Sequence, residues 1–318
     1  MSLRLARLAI LVSVAASATA VAQQAPRYTA PRTEYNQPDF QGIWGTEFLT
    51  MMERPPAAQS LVATPEQARA LVAGIRAGLP VLVDPDVFVY NISQLAMVKG
   101  EYRTSMIVEP KDGRIPFTSA GLAIAGQVSA RNNQKFDNPE ERPLAERCLE
   151  NLAYAPIRTV PVFLPRQIVQ TRDYLVISPE DSSGPRIIRL QGGHLPDAVR
   201  SIGGDSVGHW EGDTLVVEVT HLRADDPART LPGRPLVLSR QTKITERFTR
   251  VSATELFYQF TIEDPALYTQ AWSGEFSLTR HDGRVYEYAC HEGNYSLPNA
   301  LRGGRAQDNV ADTKQAPR

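Results

Sequence analysis

Cysteine is almost absent: Cys148 and Cys290 are the only two in 318 residues. That scarcity excludes a disulfide-dense scaffold and a cysteine-based zinc cluster, and no C-x-x-C pair occurs. Histidine is sparse too, with five in the chain. None sits in a local zinc spacing such as H-E-x-x-H, and the HEG run at 291–293 is not that motif. The sequence therefore calls for no metal and no cofactor. A basic excess is also lacking, since 34 Lys and Arg stand against 35 Asp and Glu, for a formal charge of −1. Nucleic acid is thereby excluded as a partner, because it requires a basic patch or stripe. The GGDSVG run at 203–208 lacks the lysine of a phosphate loop, and no G-x-S-x-G surrounds Ser206. Beyond the N-terminus no apolar run reaches the roughly 20 residues of a membrane span.

The N-terminus itself reads as a secretory signal. Arg4 and Arg7 begin it, Leu8 to Ala16 form a short apolar run, and Ala20-Val21-Ala22 supplies small residues for cleavage after Ala22. Export to the periplasm or the medium is expected, and removal of residues 1–22 takes the formal charge to −3. In such an oxidising compartment Cys148 and Cys290 pair most simply as one disulfide; the competing reading is a nucleophilic Cys290 beside His291.

A Pro-rich lead-in covers residues 23–38, a single β-rich domain covers 39–302, and 303–318 read as a flexible tail. Within the domain, PDFQGIWGT opens with a strand. Thr64, Pro65 and Gly78 bracket a helix as N-cap, first turn and stop. Further helices are expected through 118–131 and 143–152, giving a helical and looped part over about 60–155. From about 160 to 290 the texture changes to short β-rich runs divided by turns, as in a sandwich or barrel.

Requiring apolar faces to stay together fixes three hairpin registers. A three-residue loop at Ser252–Thr254 sets Ile244 opposite Ile262 and Phe248 opposite Tyr258, which turns Glu246 inward against Phe260. A turn at Gly212-Asp213 sets Trp210 opposite Leu215 and Gly208 opposite Val217, leaving His209 and Glu218 outside and Glu211 on the turn. A turn at Asp282-Gly283 would set Leu278 opposite Glu287 and Phe276 opposite Ala289, bringing Glu287 and His291 inward.

An inward carboxylate needs a reason, because a buried charge is costly unless paired. One reason is a wet ligand cavity in which Glu246 or Glu287 works with a histidine as base and acid. The other is pairing with a nearby arginine such as Arg247 or Arg284. His291 sits at a strand end and His194 in the turn-rich loop QGGHLPDAVR that leads to Asp205. Loops beyond strand ends are where sites usually sit on a rigid scaffold. The candidate catalytic residues are thus His291, His194, Asp205, Glu246 and Glu287. Arg200, Glu292, Asn294, Tyr295 and Trp44 are candidate ligand contacts, Trp44 having the alternative of a core residue that closes one barrel end.

The strings PDFQGIW, GDSVGHWEGDTLVVEV, ITERFTRV and YEYACHEGNYSL resemble those of a large family of exported bacterial hypothetical proteins. The resemblance runs across most of the chain after the signal and implies export and a bacterial source; it transfers no catalytic residue. The G-x-W opening strand followed by a meander is also similar to the lipocalin-like barrels. The expected protein is mainly β, an antiparallel lipocalin-like barrel or strongly curved sheet with N-terminal helices and long loops. Its expected role is to bind a small, partly apolar molecule in a cavity. The alternatives are a hydrolase or lyase using a His/carboxylate pair, and an envelope-associated structural or interaction protein.

Overall fold

The computed structural model describes residues 28–78, 92–134, 136–159, 164–180, 184–223, 228–230 and 235–315. The expected signal segment, residues 1–22, lies outside the described residues.

The first part of the chain contributes the opening strand β1 (Gly42–Gly45) and the short strands β2 (Val62–Ala63), β3 (Met97–Val98) and β4 (Glu101–Arg103). Helix α1 (Pro65–Gly78) begins where the sequence placed it. Its Thr64 closes a capping box, accepting from Gln67 N–H at 3.3 Å while the Gln67 side chain accepts from Thr64 N–H at 2.9 Å. Strand β5 (Ile107–Glu109) and helix α2 (Ser119–Gln134) follow. The helix expected over 143–152 is absent; that stretch is a run of turns in which Cys148 adopts φ 56° to reach its disulfide partner.

The second part is the meander: β6 (Arg166–Gln170), β7 (Tyr174–Pro179), β8 (Arg186–Arg189), β9 (Asp205–Glu211), β10 (Thr214–Thr220), β11 (Ala228–Thr230), β12 (Pro235–Val237), β13 (Lys243–Arg250), β14 (Glu255–Glu263) and β15 (Trp272–His281). Eight of these strands and β1 close a nine-stranded barrel in the order β1-β6-β7-β8-β9-β10-β13-β14-β15, with β1 pairing back on β15, while β5 pairs with the other half of β15. The barrel is mixed and not purely antiparallel, because β8 and β9 run parallel. A parallel neighbour cannot be reached by a tight turn and needs a crossover of a dozen or more residues. Residues 190–204 are that crossover, so the parallel pairing is what carries His194 over the barrel wall.

Two hairpins have the registers read from the sequence. Ile244, Glu246 and Phe248 face Ile262, Phe260 and Tyr258. Trp210 and Gly208 face Leu215 and Val217, and His209 faces Val216 on the outside. The third register does not form. The edge of β15 is occupied by β1, with Ile43, Trp44 and Gly45 opposite His281, Arg280 and Thr279. Residues 284–289 therefore have no strand to join and lie exposed or half-exposed along the surface. The expected turn at Asp282-Gly283 does not form either, because closing the barrel with a strand some 240 residues away satisfied the same backbone groups.

The tail expected to be flexible is helical instead: α3 spans Ser296–Gln315. Leu301 is buried, Arg305 donates to the Asp137 carbonyl at 2.6 Å, and Gly304 lies so close to Phe136 that a Cβ would fall 2.3 Å from it. Cys148 and Cys290 form the expected disulfide, which ties the segment before α3 to the 143–152 turns.

Candidate functional site

The barrel interior is filled. Phe248, Tyr258, Phe260, Phe276, Leu215 and Val217 are each at most 1% exposed, and the segment holding Ala153, Ala155 and Ile157 packs among them. Glu246 is 0% exposed, so no water-sized space touches it. Arg186 on β8 grips its two oxygens, one bond being 3.1 Å, and the Tyr258 hydroxyl donates to Oε1 at 2.6 Å. Arg186 also donates to the Ala153 carbonyl at 2.9 Å and to Ser206 at 3.2 Å, while Tyr258 accepts from Ile157 N–H at 2.8 Å. Burial, then the adjacent Glu246 charge, pushes the Tyr258 phenol well above its ordinary value and keeps it a donor. The carboxylate is inward because it neutralises a buried guanidinium, and the partner is Arg186 and not Arg247, which turns outward to Glu211. This is a fully satisfied structural network, with no room for a substrate beside Glu246.

Trp44 likewise is core: it is 0% exposed, donates to the Phe40 carbonyl at 2.8 Å, and has the guanidinium groups of Arg250 and Arg280 at 5.5 and 5.7 Å from its ring. It closes the barrel end that carries the C-terminus of β13, which removes it from any ligand contact.

At the opposite end, on the outer wall, the crossover lays a polar cluster on the rim. Asp205 opposes Thr220 and Glu218 opposes Val207, so both carboxylates point away from the Ser206–Val219 interior row. His194 sits between them, with Nδ1 2.8 Å from Asp205 Oδ2 and Nε2 3.2 Å from Glu218 Oε1. Arg189 donates to both Asp205 oxygens at 2.8 Å and Leu195 N–H donates to Oδ2 at 3.0 Å. Burial by itself would raise the Asp205 carboxyl, but the Leu195 N–H, His194 and Arg189 outweigh it and hold it below the ordinary value. Lys243 pairs with Glu218 and is the main cause that lowers that carboxyl.

His221, just beyond β10, completes the cluster. Its ring stacks on His194 at 5.6 Å with an interplanar angle of 27°, its Nε2 is 3.3 Å from Asp197, and its Nδ1 is 2.7 Å from the Thr220 hydroxyl. Asp197 also pairs with Arg200, which donates to the carbonyls of Leu222 and Arg240 at 3.4 and 3.2 Å. The crossover is pinned on both sides of His221: Ser201 N–H donates to its carbonyl at 3.2 Å and Arg223 N–H to the Ser201 carbonyl at 2.9 Å. Gly204 ends the crossover with φ 73°, and a Cβ there would lie 2.6 Å from the Thr220 carbonyl. Only glycine lets the chain enter β9 so close to β10.

The expected pair His194 and Asp205 is thus brought together, with Arg200 nearby through Asp197. The others are not part of this cluster. Glu287, His291 and Glu292 are exposed or partly so in the segment after β15, and Asn294 donates to the Glu146 carbonyl at 3.1 Å beside the disulfide. Tyr295 is 74% exposed. Among the described residues no hydrogen bond or ion pair joins His291 to His194, Asp205 or Glu246, because the hairpin that would have turned it inward does not form. The sequence reading missed His221, Glu218, Arg189 and Asp197. The strand-end rule applied to His291 would have found His221 at the end of β10, and the period-2 alternation already placed Glu218 outside.

Chemically, the arrangement is a histidine whose ring nitrogens each face a carboxylate. One proton on Nδ1 satisfies Asp205, and a second on Nε2 satisfies Glu218, so the ring has a fixed acceptor for either protonation state. The His194 side chain is 22% exposed and within reach of solvent. No protein-family model matches the chain, and no curated protein sequence does. No helix among the described residues is long and apolar enough to cross a membrane.

Proposed function

We propose that this chain is an exported β-barrel protein that acts on a small polar molecule at the barrel rim, as a hydrolase or lyase. His194 is the acid–base group and Asp205 the carboxylate that fixes its ring. The observation that carries the reading is the His194 Nδ1 to Asp205 contact of 2.8 Å on a rim side chain open to solvent. A general acid or base needs this combination of fixed orientation and access to substrate. The disulfide and the signal-like N-terminus support export, and the family resemblance points the same way. The filled interior argues against holding the substrate inside the barrel and in favour of the rim.

The test is a metabolite screen on the protein lacking residues 1–22, read by thermal shift for binding and by mass spectrometry for turnover. A compound turned over by the native protein should still shift the His194→Gln melting curve but remain unconverted. Conversion that survives His194→Gln removes His194 from the chemistry.

A second reading, binding without turnover, has its own observation. A surface groove of about 660 Å³ lined by Val62, Ala70 and Leu71 together with Gln59, Gln67 and Thr104 has the size of a small-molecule site and a wall of mixed apolar and polar groups. Screen hits whose shift is abolished by Val62→Arg, at a side chain exposed in the groove, and unaffected by His194→Gln would select it.

A further inference from the structure

We infer that His194, Asp205 and His221 together form a binding site for a divalent transition cation, with Zn²⁺ as the probe. Each of the three offers a ligand atom, and these atoms lie within 4.8 Å of one another. One edge, His194 Nδ1 to Asp205 Oδ2, is 2.8 Å. Zinc bonds of about 2.0–2.2 Å to nitrogen and oxygen set tetrahedral donors roughly 3.3 Å apart. Closing the site on a cation therefore opens the His194–Asp205 contact slightly and turns the His221 ring in from its contacts with Asp197 and Thr220. Two imidazoles and one carboxylate suit zinc and its neighbours, whereas calcium and magnesium take oxygen donors throughout.

The backbone is arranged for this meeting. His221 adopts φ 58°, a left-handed conformation uncommon for a residue with a Cβ. It leaves the alternation of β10 and stacks its ring on His194 instead of pointing into solvent. Strained residues of this kind persist where the surroundings hold them, and here the Ser201 and Arg223 backbone bonds do so. Arg189 and Leu195 N–H already orient Asp205, as outer partners of a metal-binding carboxylate do. A cation would take the place of the proton now shared between His194 and Asp205. With three protein donors and a rim position, the remaining coordination places face solvent, the arrangement of a catalytic and not a structural zinc.

The site uses the same residues as the proposed function, but a His194 that holds a cation through the nitrogen facing Asp205 is not then the acid–base group, and the inference does not require turnover. Zinc binding without conversion of any compound would sink the catalytic reading alone. Conversion by a protein that binds no zinc would sink this inference alone.

The experiment titrates Zn²⁺ into chelator-stripped protein lacking residues 1–22, by calorimetry and by metal analysis after dialysis. One Zn²⁺ per chain is expected, with affinity reduced more than about 100-fold in His194→Gln and in His221→Asn. Asn is chosen at 221 because it tolerates the left-handed backbone. His209→Ala, on the hairpin tip where its side chain is 65% exposed, should bind as the native protein does. Should a variant fail to fold, the native protein decides the matter alone. Zn²⁺ should then protect His194 and His221, but not His209, from diethyl pyrocarbonate, read by peptide mass spectrometry. Absence of one-to-one binding, binding unchanged in both His variants, or no protection of these two rings would each overturn the inference.

Discussion

Replacing Glu246 by Gln keeps the shape of the side chain and removes its charge, leaving Arg186 buried with a neutral partner. Glu246 is 0% and the Arg186 side chain 3% exposed, so water cannot take over the lost interaction. Removing one member of a buried ion pair costs about 3–5 kcal/mol. With an unfolding entropy of about 2.1 cal/mol/K per residue over 318 residues, the melting midpoint should fall by about 4–8 °C. Arg186→Met should cost about as much, because it strands the carboxylate. The double variant Glu246→Met/Arg186→Met should recover a large part of the loss, since apolar side chains often replace a buried pair without penalty. Thermal and urea unfolding of the native protein, Glu246→Met, Arg186→Met and the double variant forms a double-mutant cycle with an expected coupling of about 2 kcal/mol or more. The reasoning fails if Glu246→Gln melts where the native protein does, or if the double variant is less stable than the sum of the single losses. The same proteins separate structure from chemistry: Glu246→Gln should still bind Zn²⁺, and any rim activity should persist at temperatures where it remains folded.

Three further outcomes follow from the rim and the disulfide. Asp205 has a folded-state carboxyl below its ordinary value of 3.8, so its stabilisation is fully present above that value and is lost as pH falls through the lower, folded one. The stability gap between native protein and Asp205→Asn, about 1–3 kcal/mol at neutral pH, should stay level down to about pH 5 and shrink only in stronger acid; a gap that widens on acidification contradicts the assigned partners. Gly204→Ala should cost about 1–3 kcal/mol through its left-handed backbone and weaken zinc binding by lifting the crossover from Thr220, measured by unfolding and calorimetry together; unchanged affinity would mean the crossover is not what positions His194. Replacing Cys148 and Cys290 by Ser opens a loop of 142 residues and should cost about 5 kcal/mol in the chain-entropy model, with a like loss in the reduced native protein; a small loss would place the C-terminal segment outside the cooperative unit.

Much of the barrel was legible because its information is local and periodic. Thr64 and Pro65 announce α1 in the residues that cap it, and the alternation through 205–220 and 243–263 admits only registers that keep apolar faces together. The same alternation turns Glu246 inward and leaves its partner unspecified. Arg186 lies 60 positions away, and nothing in the sequence distinguishes it from Arg247 next door.

The sequence by itself determined a β-rich chain, two hairpin registers, an inward Glu246 and the His194–Asp205 neighbourhood. Each depends on side-chain period or on residues a few positions apart. Tertiary structure alone decided that β1 and not residues 284–289 takes the edge of β15, since both could satisfy the same backbone groups and only the first closes the barrel. It also decided that β8 and β9 run parallel, which sends the 190–204 crossover over the rim and sets His194 against His221. A histidine at 221 carries no mark of that meeting, because a site assembled across a crossover has no spacing to read.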